Sequence, residues 1–344
     1  MPGEKRTVPE IIRLLKALID CDTTRGKKNE RQCALQLQAY FDKMGIENRI
    51  YEPEPFRTSI AAVIPGRNPD ALVLYSHLDT EDYLDLSCWR FPPGLGVLSE
   101  GRVYGRGALD DKGMTAVNAV IMAEAARQDR EKTLIFVSAC GEEDCEDCGL
   151  PWLLNHTRLF SHAGLVLSEG GGFPVCAGGV WYYTVQVGER DGIPAERTGC
   201  GQDGAVLSYR EGRRSDGENN RRHVAEECLE DAYLPEEYRS LLKPHLDRFR
   251  KAELLPVISS GFSDNRHFRR AGIPVLGFFP LDERNSISGI HGYQEYISVD
   301  SLELAYQVLY GITEQWLEAP YQRRSGGTEG RTEADGAWLL GPCS

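Results

Sequence analysis

The stretch ALVLYSHLDT, residues 71–80, is a short apolar run that ends abruptly in a histidine and, two residues later, an aspartate. In an extended strand residues i and i+2 share a face, so His77 and Asp79 leave the strand's carboxyl end on the same side. A metal-ligating imidazole needs its second ring nitrogen held by a carboxylate or a carbonyl, and this pair has that chemistry. Alone it fits a structural or solvated histidine equally well. The question is whether further ligands converge on the same strand end.

Outward from this strand, segments with helical and strand periodicity alternate. Pro9–Asp20 and Asn29–Met44 place apolar residues at helical spacing, the second stopping at Gly45, and a strand is predicted near Asn48–Tyr51. Ser59–Pro65 and Ala71–Tyr75 read as two strands of a hairpin joined by residues 66–70. Asp85–Arg106, rich in Gly, Pro and aromatic residues, reads as a long functional loop. Gly113–Gln128 has the small apolar character of a buried helix, and Thr133–Ala139 is a continuous apolar strand of the kind covered on both faces. A short helix at Leu150–Leu154 and a strand at His162–Ser168 continue the alternation. The predicted fold class is α/β, a mixed central sheet flanked by helices.

Composition narrows the function classes. With 344 residues and 41% apolar content the chain can bury a large core. A formal charge of −13 argues against nucleic-acid and anionic-membrane partners, because nonspecific affinity for either rests on excess Lys and Arg. No apolar leader and no run of 18 apolar residues is present, so a cytoplasmic protein is expected. The ten cysteines are irregularly spaced and read as mostly reduced. Cys145 and Cys148 form one CxxC, which could be half a zinc site or a redox pair. With no second CxxC, and flanking acids that would raise a thiol pKa, it reads as structural.

Further carboxylates and a histidine punctuate the ends of the predicted elements. Asp110 follows the glycine-rich GRVYGRGAL, whose glycines permit a tight turn. Glu142 and Glu143 follow the apolar strand Thr133–Ala139, placed so that one could bind metal while the other faces a bound water. Glu169 ends the strand His162–Ser168, and His291 follows a polar loop. The crevice outside strand carboxyl ends is where open α/β sheets place their sites.

The segments SHLDT, GRVYGRGALDDKG, the strand into GEED, the strand into SEGGG, SGFSDNRHF and GIHGYQEYI, in this order, resemble the M20 family of co-catalytic zinc hydrolases: aminoacylases, dipeptidases and carboxypeptidases. The resemblance covers about residues 8–188 and 255–318, and Glu in SEGGG is like the aminoacylase and carboxypeptidase members. It implies two Zn2+ ions, or Co2+ or Mn2+, with Asp110 bridging them. His77 and Glu169 would complete one ion, and Glu143 and His291 the other. Asp79 would orient His77, and Glu142 would be the general base. Three carboxylates and two neutral imidazoles give −3 against +4, leaving room for a bridging hydroxide. A metal pair can bring the pKa of such a water from 15.7 toward about 7. The implied substrate is a small peptide or an N-acyl amino acid. A rival use of Ser76 beside His77 as a serine nucleophile lacks the G-x-S-x-G turn.

The resemblance also implies an inserted lid that carries dimerisation strands, an oxyanion-stabilising histidine and a carboxylate-binding arginine. The predicted organisation is a discontinuous catalytic domain, residues 1–180 and 255–320, with a shortened lid at 181–254 and a disordered tail at 321–344. Val180–Val187 would open the lid. Glu189–Asn220 then holds six glycines and only seven apolar residues among 32, too few to offset its ordering entropy. It is either a lid truly shortened or a translation out of frame from near residue 190 to near 222. His223 is the nearest histidine, about thirty residues late, and helical spacing returns over Val224–Leu242. The expected state is a homodimer with an intact lid and a monomer without it. No substrate-binding residue is assigned, Arg266 being as readily structural.

Overall fold

The apolar runs become strands of one mixed sheet, and the computed structural model describes residues 4–189 and 232–320 of the chain. Helices α1 (Glu4–Ile19) and α2 (Arg31–Met44) precede strands β1 (Glu47–Glu54), β2 (Arg57–Ile64) and β3 (Asn68–His77). Short strands β4 (Val97–Ser99) and β5 (Arg102–Tyr104) lead to α3 (Lys112–Ala125), β6 (Lys132–Ala139), α4 (Leu150–His156) and β7 (Ala163–Ser168). Strands β8 (Pro174–Ala177) and β9 (Val180–Glu189) follow. Beyond residue 231 come α5 (Glu236–Leu246), β10 (Glu253–Ser259), α6 (Asn265–Arg270), β11 (Val275–Gly277), β12 (Tyr296–Ser298) and α7 (Val299–Glu318).

The main sheet has nine strands in the order β1-β2-β6-β3-β7-β11-β9-β10, with β8 beside β9. Side-chain alternation along its central strands explains why they read as unbroken apolar runs. Ile60, Leu72, Leu74, Leu134, Phe136, Leu165 and Leu167 face a core shared with α1, α2, α3 and α7. Their neighbours Ala61, Val73, Tyr75, Ile135, Val137 and Val166 face a second core with Leu150, Leu153, Phe160 and Phe268. Phe41 of α2 meets Phe136 edge-on with ring centroids 5.1 Å apart, and burying each such ring contributes roughly 1.5–3 kcal/mol. Helix α2 stops where expected, at Gly45, whose φ of 68° is a left-handed conformation suited to glycine.

The predicted Ser59–Tyr75 hairpin is not formed. Strand β6 lies between β2 and β3, antiparallel to the first and parallel to the second, and the hairpin partner of β2 is β1. Both β2 and β3 are apolar on both faces and need a partner on each edge. Their connection needs to step over only one strand, about 10 Å at 4.7–4.9 Å per strand, within reach of a few extended residues. The sheet is mixed, though not because of that hairpin.

Two consequences position the site. Parallel β3, β6 and β7 end together, with His77 paired to Ala139, so the segments after three strands share one edge. In addition β12, β5 and β4 form a small separate sheet within and beyond the predicted 85–106 loop. It ties the region before Asp110 to the region after His291. Strand β9, read from sequence as opening the lid, extends the main sheet beside β10 and β11, and α5 packs on α7. The readings of 190–220, His223, 224–231 and the tail from 321 lie outside the described residues. No helix among the described residues is long and apolar enough to cross a membrane.

Candidate metal centre

His77 is the last residue of β3 and is 1% exposed. Its Nδ1 lies 3.0 Å from the Asp79 main-chain oxygen. Its Nε2 lies 3.1 Å from Asp110 Oδ1 and 4.0 Å from Glu169 Oε1. The other Asp110 oxygen, Oδ2, is 3.0 Å from His291 Nε2, which is 3.2 Å from Glu143 Oε2. One carboxylate therefore stands between two imidazoles, and each imidazole has a further carboxylate beside it. Glu142 belongs to the same cluster, since ligand atoms of His77, Glu142 and Glu143 all lie within 4.8 Å of one another.

Asp79 is the residue expected to orient His77. The nearest acceptor to Nδ1 is the Asp79 carbonyl, and the carboxylate Oδ1 stands 3.7 Å away. That carboxylate accepts from the backbone amides of Glu143, at 2.9 Å, and Glu142, at 3.3 Å. It thereby fixes the turn after β6 relative to the end of β3. Glu143 Oε1 in turn accepts from the Glu81 amide at 3.2 Å.

The protons in this cluster show what the donor set demands. Burial alone would favour neutral His77, yet Asp110 and Asp79 hold its pKa well above the usual histidine range. His291 is likewise pushed up, against its partial burial, by Asp110 and Glu143. Burial raises Glu142 and Glu169 well above ordinary carboxylates, reinforced for Glu142 by Glu169 and Glu143 and for Glu169 by Asp110. Glu143 is pushed up to about 7, by burial and then by Asp110. Four carboxylates at one sheet edge share only two imidazoles, so positive charge is short. A divalent cation fits that deficit and these nitrogen and oxygen donors.

Residues 73–315 match the profile of peptidase family M20/M25/M40. The chain belongs to that family. This M20 chain is 29% identical over 162 residues to a probable succinyl-diaminopimelate desuccinylase of Staphylococcus aureus, covering 46% of the chain and 40% of that protein. It is 29% identical over 187 residues to a metallohydrolase of Methanocaldococcus jannaschii, covering 48% and 45% respectively. The matches thus span less than half the length of either relative. Among solved structures it resembles the dipeptidase Dug1p of Saccharomyces cerevisiae, with TM-score 0.62 and 12% identity over 92% of this chain and 98% of that one. It also resembles human carnosine dipeptidase 1, with TM-score 0.59 and 12% identity over 91% and 98%. These likenesses show the fold alone.

Sequence reading missed the groups that hold these candidate ligands in place. Glu295, 1% exposed, accepts from the amides of Gly107 at 3.1 Å, Leu109 at 2.9 Å and Asp110 at 3.1 Å. It also pairs with Arg106 Nη1 at 2.9 Å, and Arg106 Nη2 donates to the carbonyls of Gly292, at 2.8 Å, and Asp82, at 3.1 Å. Together they lock the Asp110 loop to the His291 loop. The available signal was a glycine-rich loop whose amides need acceptors and a lone acid in GYQEYI. Asn265 donates to the Glu169 carbonyl at 3.1 Å and to Gln186 Oε1 at 2.6 Å. Arg266 lies with its guanidinium 5.0 Å from the Phe262 ring centroid and donates to His267 Nε2 at 3.2 Å. Ser76 is fully buried, with its hydroxyl 3.0 Å from that of Ser138 and from that of Thr115.

Proposed function

We propose that this chain hydrolyses an amide bond of a small peptide or N-acyl amino acid, with two Zn2+ ions held by His77, Asp110, Glu143, Glu169 and His291, and with Glu142 as general base. The observation that carries the reading is the Asp110 carboxylate, whose two oxygens face different histidines at 3.1 and 3.0 Å. His77 and Glu169 lie on one side of it and Glu143 and His291 on the other. Co2+ or Mn2+ would suit the same donors.

When bound, such ions polarise a scissile carbonyl and make an attacking water more acidic. The chain's own groups supply the rest. Glu142 is not needed as a ligand in this arrangement and stands beside His77 and Glu143, where its carboxylate can take a proton from the water and hand it to the leaving nitrogen. Asp79 keeps Glu142 in place through the backbone of the turn, and through its carbonyl keeps His77 Nδ1 protonated so that Nε2 faces the site. The named activity of the staphylococcal relative, removal of a succinyl group, favours an N-acyl amino acid, and the dipeptidase neighbours favour a peptide. A cytoplasmic location, with a homodimer if the lid is intact and a monomer otherwise, completes the proposal.

A second reading, a catalytically impaired metal-binding homologue, is favoured by the absence of any histidine between His162 and His223. Removing one oxyanion donor costs about 10²–10³ in turnover. A panel of N-acyl amino acids and dipeptides, assayed with the parent chain and Glu142→Ala, separates the two. Hydrolysis that Glu142→Ala lowers by roughly 10²–10⁴-fold at unchanged metal content supports the proposal. No hydrolysis across the panel by a metal-loaded parent supports the impaired homologue. Loss of metal together with activity in Glu142→Ala would mean that Glu142 and Glu143 exchange roles.

A further inference from the structure

Cys148, read from sequence as half of a CxxC, has a different neighbour. Its Sγ lies 3.9 Å from the Sγ of Cys140, and both residues are buried while Cys145 is exposed. Cys140 directly follows β6, and the chain returns to it within nine residues. Gly149 approaches so closely that a Cβ there would stand 1.7 Å from the Cys140 carbonyl oxygen. The two sulfurs therefore bracket the turn that carries Glu142 and Glu143.

The surroundings favour thiol chemistry over metal binding. Arg57, 3% exposed, donates from Nε to Cys148 Sγ at 3.5 Å and pairs with Glu30 at 2.7 Å and Glu146 at 3.2 Å. A guanidinium against the sulfur repels a cation and stabilises a thiolate. The Cys140 thiol and then Arg57 bring the Cys148 pKa down to about 7 against its burial, whereas Cys140 is pushed up. The flanking acids were expected to have the opposite effect on this thiol. The Cys140 thiol, and after it Arg57, distant in sequence, reverse it.

We propose that Cys140 and Cys148 are a peroxide-oxidisable dithiol whose disulfide pulls on the Glu142–Glu143 turn and suppresses hydrolysis. Cys148 retains 5% exposure and Cys140 none, so a peroxide meets Cys148 first. The Cys148 thiolate attacks one peroxide oxygen, the O–O bond breaks, and hydroxide leaves and takes a proton from solvent. The Cys140 sulfur then displaces the hydroxyl from the sulfenic acid, and that hydroxyl leaves as water with the Cys140 proton. Two thiols and one hydrogen peroxide give one disulfide and two waters. The sulfurs lose two electrons and the peroxide gains them. An S–S bond is about 2.05 Å long, so the sulfurs must close by roughly 2 Å from their 3.9 Å separation. That displacement falls on a turn held to Asp79 by two amide hydrogen bonds. The effect on turnover rests on the function proposed above; formation of the disulfide does not.

The test treats the full, zinc-loaded chain with hydrogen peroxide, blocks remaining thiols and maps peptides by mass spectrometry. Hydrolysis and the rate of zinc transfer to a chromophoric chelator are measured on the same sample. The expected result is a Cys140–Cys148 linked peptide and at least a tenfold change in both rates, hydrolysis falling and zinc transfer rising. A phosphine reductant should reverse both, and Cys148→Ser and Cys148→Ala should each resist the treatment. A Cys145–Cys148 link, sulfinic acid at Cys148 with Cys140 still free, or variants inactivated as fast as the parent would overturn the proposal. A parent that never hydrolyses but forms the link and releases zinc faster supports the dithiol and counts against the proposed function alone.

Discussion

Asp110 and the Glu142–Glu143 pair reach the same place on backbones held in contrasting ways. The Asp110 loop is anchored by one carboxylate far along the chain: Glu295, 185 residues from Asp110, accepts three of its amides and carries the paired Arg106. The turn with Glu142 and Glu143 is closed by the approach of Gly149 to Cys140 and the adjacent thiols, and is tied outward at several points, through Asp79 and through Arg25, Lys28 and Arg57, which pair with Asp144 and Glu146. The bridging role proposed for Asp110 requires a fixed position between two partners, and the long-range anchor supplies it. The turn proposed to carry the general base is held by several separate ties, from Asp79, Arg25, Lys28 and Arg57, rather than by one carboxylate.

Substitutions can break this comparison. Glu295→Ala should have the largest effect, because it strands buried Arg106 and leaves three amides without their acceptor. Breaking a buried pair in this way costs about 3–5 kcal/mol, to be read as a lowered midpoint in denaturant unfolding of the metal-free chain. A change below about 1 kcal/mol, within the ordinary range for surface substitutions, would mean that Glu295 is not the anchor of the Asp110 loop. Asp79→Asn should act mainly on the site. It keeps the carbonyl behind His77 but weakens the hold on the Glu142 and Glu143 amides, and loss of such an outer partner typically costs about 10–100-fold in metal affinity or activity. Chelator-competition titration measures it. An effect of Asp79→Asn on global stability as large as that of Glu295→Ala would erase the contrast between the two supports.

The contrast also accounts for what the sequence made legible. Most of the candidate site residues are legible because a polar residue interrupts an apolar strand or a glycine-rich turn, as His77 does after ALVLYS and Glu142 after the β6 run. Strand identity was legible for the same reason, since alternating residues serve two cores. Pairing was not: β2 and β3 looked like a hairpin because adjacency in sequence says nothing of β6, which arrives about seventy residues after β2 and separates them. Anchors are hidden likewise. Glu295 has no local pattern that marks it as the acceptor for residues 107–110, and Cys148 lies against Cys140 rather than its CxxC neighbour because the turn folds back at Gly149.

The central claim is that Asp110 is shared between two metal ions. The most direct measurement is metal content of the chain purified without chelators and loaded with zinc, compared with Asp110→Asn. About two equivalents in the parent, with both weakened together in the variant, is the expected result. Less than about one equivalent in the parent, or a variant that retains one ion at full affinity, would contradict it.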